Sequence, residues 1–233
     1  MMAEMVVRKS RMRADDIFFP AMACLILAIV VTGFGRSYFF AGMMLAKLPN
    51  RLVHVHGAVF ILWIFLLVIQ PWLVSVKKLK WHMKLGVLSV VLLPAMSILG
   101  ILTLLDYIRR AKPDDGLEMT LVGDIEILVL FVGLTLWGLL ARRDSAAHKR
   151  LMILGTVAIM GPAIGRWNLS VPVSLGVIFA LPLFVLAYDL CSLKRVHRTT
   201  TVAISLTAAW VLTLAPLLKL TVWHRCVEWI RHN

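Results

Sequence analysis

The sequence predicts an all-α protein, a polytopic membrane helix bundle of about seven transmembrane helices with a four-helix core from spans 2–5. Three observations carry this. Of the 233 residues, 61% are apolar and 16% charged, with a mean hydropathy of +0.88; a soluble domain holds about 45–50% apolar and about 25% charged residues. The apolar residues gather into seven stretches of about the 17–25 residues that a bilayer requires. The basic residues crowd into alternate connections between those stretches. One soluble globule would have nowhere to bury so much apolar surface, and the same figures exclude a disordered chain, a disulfide scaffold and a repeat solenoid.

The first stretch, residues 17–35, follows Asp15 and Asp16 and ends in Gly33-Phe34-Gly35-Arg36. That is no small-residue cleavage site, so it reads as a retained span rather than a signal peptide. The second, 53–75, opens on His54-Val55-His56-Gly57, and the third, 84–107, ends at Asp106. The fourth, 120–141, carries Asp124 and Glu126 about a turn inside. The fifth, 150–167, is short and interrupted by Gly155, Gly161, Pro162 and Gly165. The sixth and seventh cover 171–190 and 201–221, with Lys219 near the outer end, where its stem can snorkel to the interface. Trp72, Trp81, Trp137 and Trp167 fall near span ends, where indole rings commonly sit. The chain thus divides into a basic N-terminus (1–16), a seven-span membrane domain (17–221) and a tail (222–233). In the tail, Trp223, Cys226, Val227 and Ile230 alternate at helical spacing with charged residues, the pattern of an amphipathic helix anchored in the interface.

The net charge of +13 would suggest nucleic acid on a soluble chain; here it sorts by membrane side. With the N-terminus in the cytoplasm, the inner segments hold Arg8, Lys9, Arg11, Arg13; Lys77, Lys78, Lys80, Lys84; Arg142, Arg143, Lys149, Arg150; and Lys194, Arg195, Arg198. These are fifteen of the 25 Lys and Arg, all close to span ends. The other ten are scattered outside and partly matched by Asp114, Asp115 and Glu118. The excess places the N-terminus inside and the C-terminus outside, with the bilayer and not nucleic acid as the partner. Cys24, Cys191 and Cys226 lie far apart, with neither a CxxC pair nor a CxxCH haem-attachment site. No P-loop, nucleophile elbow or HExxH is present.

Two inner connections share one pattern. Trp81-His82-Met83-Lys84-Leu85-Gly86-Val87-Leu88 and Ala147-His148-Lys149-Arg150-Leu151-Met152-Ile153-Leu154 both read His-x-(Lys/Arg)-Leu-x-(Val/Ile)-Leu. Spans 2–3 and 4–5 then read as two duplicated hairpins, with His82 and His148 at equal depth. Small residues above His82 (Gly86, Ser89, Ser97, Gly100) and above His148 (Gly155) let a helix or a flat macrocycle approach the backbone. Two neutral imidazoles facing each other from separate helices suit bis-His ligation of haem b, with the nearby cations available to propionates. The plainer reading is a pair of interfacial histidines.

The second cluster lies at the outer face: His54, His56, Asp124, Glu126 and Arg166. Residues two apart on a helix point to different sides, so His54 and His56 share a ligand only if the helix starts after them. An Asp124–Arg166 ion pair is the plain expectation for charges at this depth. The functional alternatives are a His and carboxylate site for a divalent metal or copper, formed by His54, His56, Asp124 and Glu126, or a proton relay between His56 and Asp124. The outer pair Met43-Met44 points weakly to copper. Gln70 shares a seven-residue stripe with His56 and Trp63 and either bonds a neighbouring helix or lines a polar path between the two clusters. Asp189 is expected in a boundary salt bridge with Lys194 or Arg195. His197, His224 and His232 are expected to be solvated.

His54-Val55-His56-Gly57, Trp81-His82-x-Lys-Leu-Gly86, Ala147-His148-Lys-Arg-Leu-Met152 and Tyr188-Asp189-Leu190 together resemble an uncharacterised family of bacterial polytopic membrane proteins. Its signature is His-x-His-Gly, then His-(x)2-Leu-Gly, then His-(Lys/Arg)-(x)-Met. That family is in turn distantly similar to the transmembrane b-type di-haem cytochromes. The resemblance covers roughly 54–190 and implies a bacterial inner-membrane protein whose tail is periplasmic. It implies inner haem ligands at His82 and His148, an outer ligand at His54 or His56, and electron exchange with a quinone or a partner protein. Spans 4 and 5 carry no outer histidine, so the pattern supports one haem, or one haem beside a metal or proton site.

Overall fold

The computed structural model describes residues 2–41, 47–112 and 115–232, with side chains from residue 14 onward. Met43, Met44 and Asp114 lie outside the described residues, as do the side chains of Arg8, Lys9, Arg11 and Arg13. The chain forms α1 (Met2–Phe34), continued by a π-helical segment (Gly35–Phe39), then α2 (Arg51–Ser75), α3 (Leu79–Arg110), α4 (Leu117–Leu140), α5 (Ser145–Ala158), α6 (Gly161–Gly165), α7 (Val171–Leu193), α8 (Arg198–Leu218) and α9 (Thr221–His232). No strand occurs among the described residues. Among the described residues six stretches are long and apolar enough to cross a membrane: Ala14–Phe39, Arg51–Ser75, Leu79–Arg110, Leu117–Leu140, Val171–Leu193 and Arg198–Leu218. The protein is an all-α helical membrane bundle.

The fifth apolar stretch is the exception. Its first helix, α5, has 14 residues and is therefore about 21 Å long, short of the roughly 30 Å hydrocarbon thickness. Pro162 explains the stop, because it has no N–H to give and its ring crowds the preceding turn. The chain tightens there, with Ile159 N–H on Thr156 O (3.2 Å) and Met160 N–H on Val157 O (3.1 Å), and resumes as the single turn α6. Arg150, near the start of α5, is paired with Asp189 near the end of α7, so the two helices run antiparallel.

Both hairpins expected from the sequence form, α2 with α3 and α4 with α5. Glycine brings α4 and α5 together: a Cβ on Gly138 would lie 3.1 Å from Leu151 Cβ, and one on Gly155 3.2 Å from the Thr135 backbone nitrogen. The core is wider than the four helices expected. It takes in α1, whose Ala23 and Ile26 are fully buried beside Trp63, Phe131 and Leu151. The cause is the α1 face Phe19, Met22, Ala23, Ile26, Ile29 and Val30, which recurs at helical spacing.

The tail also differs from expectation. Val227 and Ile230 of α9 do not face lipid; they close a second small core with Leu104 and Ile108 of α3 and Leu117 and Leu121 of α4. Arg109 Nε donates to Ile230 O (3.3 Å) and Arg231 Nη1 to Ala111 O (3.1 Å). Trp229 stays exposed on the outer side of this helix.

Candidate functional site

His82 stands in the first turn of α3 and His148 in the first turn of α5. Asp144 starts α5 by accepting from Ala146 N–H (3.0 Å) and Ala147 N–H (3.2 Å). The hairpin turns bring the two helix starts to the same end of the bundle. There the imidazoles face each other, with ring centroids 6.3 Å apart and planes at 88°. Both are half-buried.

One hydrogen bond repeats in the two hairpins. His82 Nδ1 lies 3.4 Å from Gln70 O, and His148 Nδ1 lies 2.7 Å from Gly138 O. A carbonyl oxygen only accepts, so each Nδ1 carries a proton, and in the neutral ring that tautomer leaves the Nε2 lone pair for a ligand. A ring held through Nδ1 by a backbone carbonyl is the arrangement that orients ligating histidines. Two imidazoles that place Nε2 about 2 Å from one shared metal have centroids about 6 Å apart. Among the described residues no group of three or more His, Cys, Asp or Glu is placed to hold a metal ion. A bare cation here would have two protein ligands. A macrocycle that brings four equatorial nitrogens needs only two axial ones, so the donor set fits haem better than a free ion.

The surroundings are cationic. Lys77, Lys78, Lys80 and Lys84 follow or cap the α2–α3 turn, and Arg142 and Arg143 form the α4–α5 turn; all six are exposed. Above His82, Ser89 is buried and donates to Gly86 O (2.5 Å). A Cβ on Gly86 would meet only Gln70 Nε2, at 3.5 Å. The Gln70 side-chain oxygen is buried without a partner among the described residues. In the same stripe Trp63 bonds a neighbouring helix, its indole N–H donating to Thr156 Oγ1 at 3.1 Å.

The outer cluster separates. Because α2 starts at Arg51, after Asn50 caps it by accepting from Val53 N–H (3.1 Å), both outer histidines are already helical and diverge. His54 turns to Tyr38 (centroids 5.9 Å). His56 stacks on Phe60 (4.1 Å) and reaches Thr103 Oγ1 (3.3 Å). Glu126 turns to α8, accepting from Thr213 Oγ1 at 3.3 Å, while its other oxygen is buried without a partner among the described residues. The Asp124 carboxylate makes no hydrogen bond or ion pair within the described residues, so the expected Asp124–Arg166 pair does not form. Arg166 lies over the Phe34 ring (4.1 Å) and donates to Pro162 O (2.6 Å), at the end of the bundle opposite His82 and His148. Among the described residues no three of the proposed ligands gather as a metal site requires, and the His56 ring nitrogen bonds Thr103 and not Asp124.

Sequence reasoning missed the most buried charges among the described residues. Arg150 is not in a solvated basic loop, and Asp189 is not paired with Lys194 or Arg195; the two pair with each other at 0% exposure. Asp189 Oδ1 accepts from Arg150 Nε (2.8 Å) and Nη2, and Oδ2 accepts from Thr200 Oγ1 (2.6 Å) and from His197 N–H (3.0 Å). His197 is accordingly no solvated loop residue but the N-cap of α8, its Nδ1 accepting from Thr199 N–H at 3.3 Å. His224 is exposed yet held between Glu118 (2.9 Å) and Glu228 (3.4 Å). The signal for the buried pair was a lone carboxylate at the inner end of a span, which needs a cation from another helix.

No family model, curated protein or solved structure matches the chain.

Proposed function

We propose that this protein is a one-haem electron carrier of a bacterial inner membrane, with haem b held between His82 and His148. The carrying observation is the pair itself: perpendicular rings 6.3 Å apart, each tied through Nδ1 to a carbonyl of the preceding helix. The motifs around both histidines, which resemble those of proteins distantly similar to b-type cytochromes, support the same reading.

In this reading α5 and α6 make a fifth pass, giving seven, with the histidine end and the N-terminus in the cytoplasm. The basic excess at that end supports the orientation. The bound group would supply one-electron transfer, exchanged with a quinone in the bilayer or with a partner protein. The chain's own part is to hold and tune. The carbonyls of Gln70 and Gly138 fix each imidazole's tautomer and orient its ring. Lys77, Lys78, Lys80, Lys84, Arg142 and Arg143 are placed to neutralise propionates. The packed half of the bundle behind the histidines keeps water from one side.

The test is the visible spectrum of detergent-purified full-length protein, oxidised and dithionite-reduced, from cells given ample haem. The expected result is a Soret band with a sharp reduced α-band, both lost in His82→Ala and in His148→Ala and kept in His54→Ala. A colourless parent protein overturns the reading.

A further inference from the structure

The first turns of α5 present three successive residues to three different neighbours. Successive side chains on a helix are rotated by about 100°. His148 faces α4 and His82. Lys149 faces α1, with its Nζ 2.5 Å from Asp15 and 4.8 Å from the Phe19 ring centroid. Arg150 faces α7 and α8 through Asp189. Arg150 also bridges back to its own helix, Nη1 donating to Ala146 O at 2.8 Å.

The Asp189 carboxylate is saturated, with two bonds on each oxygen from three elements: α5, the α7–α8 turn and α8. Tyr188, next to it, donates to Asp15 and stacks on Phe18 at 4.0 Å, which ties the same corner to α1. A buried ion pair is a poor way to gain stability, since apolar residues of similar volume pack there at no loss. Its best-attested use is to fix register. Here the register matters at one place. The tight contacts at Gly138 and Gly155 fix the spacing of α5 from α4, and the Arg150–Asp189 pair is its fixed polar point toward α7 and α8. His148 lies only two residues before Arg150.

We infer that the buried Arg150–Asp189 pair is a positioning device that sets the height and rotation of α5, and so places the His148 imidazole opposite His82. The inference rests on the reading of His82 and His148 as a pair that shares one ligand. Arg150 and Asp189 touch no cofactor in it; they act through His148.

The test replaces both partners by apolar residues, Arg150→Met with Asp189→Leu, in the full-length chain, so that no charge is left buried alone. One readout needs no haem. In a background with Cys24, Cys191 and Cys226 changed to serine, His82→Cys and His148→Cys are cross-linked by a short bis-maleimide. The other readout is the low-spin electron paramagnetic resonance signal and midpoint potential of the haem-loaded protein with both histidines intact. The expected result is a monodisperse protein whose cross-link yield falls by about half or more, with the low-spin signal lost or the potential shifted. Unchanged yield, signal and potential in the folded double variant overturn the inference. A parent without haem whose cross-link yield still falls in the variant leaves the positioning role standing and removes the haem reading. Haem bound alike in both, with equal yields, does the reverse. If the double variant does not fold, Thr200→Val decides, because it removes one bond from Asp189 and keeps Arg150: a smaller fall in yield supports the role, and a parental yield overturns it.

Discussion

Two glycine substitutions with identical chemistry should move stability in opposite directions. A Cβ added to Gly33 would lie 2.8 Å from the carbonyl carbon of Ala163 and 3.0 Å from its Cα. Both are backbone atoms of α6 and cannot rotate away, so α1 and α6 must part by about 1 Å to restore ordinary contact. Overpacking of this kind costs about 1–3 kcal/mol, and rigid backbone on both sides puts Gly33→Ala at the upper end. Alanine recovers up to about 1 kcal/mol over glycine in a helix, leaving a net loss of about 2 kcal/mol. A Cβ on Gly86 meets only Gln70 Nε2, at 3.5 Å, so Gly86→Ala keeps the propensity gain and incurs no strain. At about 2–4 °C per kcal/mol for a chain of this size, Gly33→Ala should melt about 4–8 °C below the parent and Gly86→Ala at or slightly above it. The assay is thermal unfolding in one detergent, followed by tryptophan fluorescence and by recovery of monodisperse protein. A Gly33→Ala variant as stable as the parent, or a Gly86→Ala variant less stable than it, refutes the packing argument.

Three other perturbations follow from single contacts. Both ring nitrogens of His224 face carboxylates, Glu118 and Glu228, and a ring donates from both nitrogens only as the imidazolium. The bond to Glu118, then the charge of Glu228, raises the His224 pKa above the ordinary imidazole value. Its contribution to docking α9 is therefore complete below that ordinary value and disappears as pH rises through the raised one. Alkylation of Cys226, normalised to the unfolded chain, should speed up across that window in the parent and show no such step in His224→Gln. Trp63→Phe removes the buried bond to Thr156 Oγ1 and leaves a small void, so it should cost about 1–3 kcal/mol; a Tm equal to the parent's would place the indole elsewhere. Asp144→Ala uncaps α5 and should cost about 1 kcal/mol. If haem is held as proposed, the substitution should also lower haem retention in detergent, read as the Soret-to-protein absorbance ratio, while the distant Asp115→Ala should not.

Lipid made the spans legible, because a helix that crosses it must be apolar over a set length whatever its neighbours are. The fifth stretch resisted for a local reason that was visible in its text: Gly161-Pro162 ends α5 before it reaches bilayer length. The His54 and His56 question turned on one residue. Asn50 caps α2 and starts the helix before both histidines, so their divergence follows from the two-residue spacing. The amphipathic pattern of α9 was equally plain, but a pattern names a face and not what covers it. Lipid and the α3–α4 end are both apolar, and only the fold chooses between them.

The contrast between His148 and Arg150 shows where reading by sequence stops. Two residues apart, they stand in one basic run at one span end. His148 was legible because its setting is repeated around His82, and repetition is information that a single chain carries within itself. Arg150 had an echo of type only: the matching position is Lys84, which is exposed, and counting basic residues assigned Arg150 to water as well. Its partner lies 39 residues on, in another helix. The histidine and the basic residue are thus both duplicated in type, and what α5 alone has is the buried partner of that basic residue, Asp189. Where α3 leaves Lys84 exposed, α5 turns Arg150 inward to Asp189 of α7.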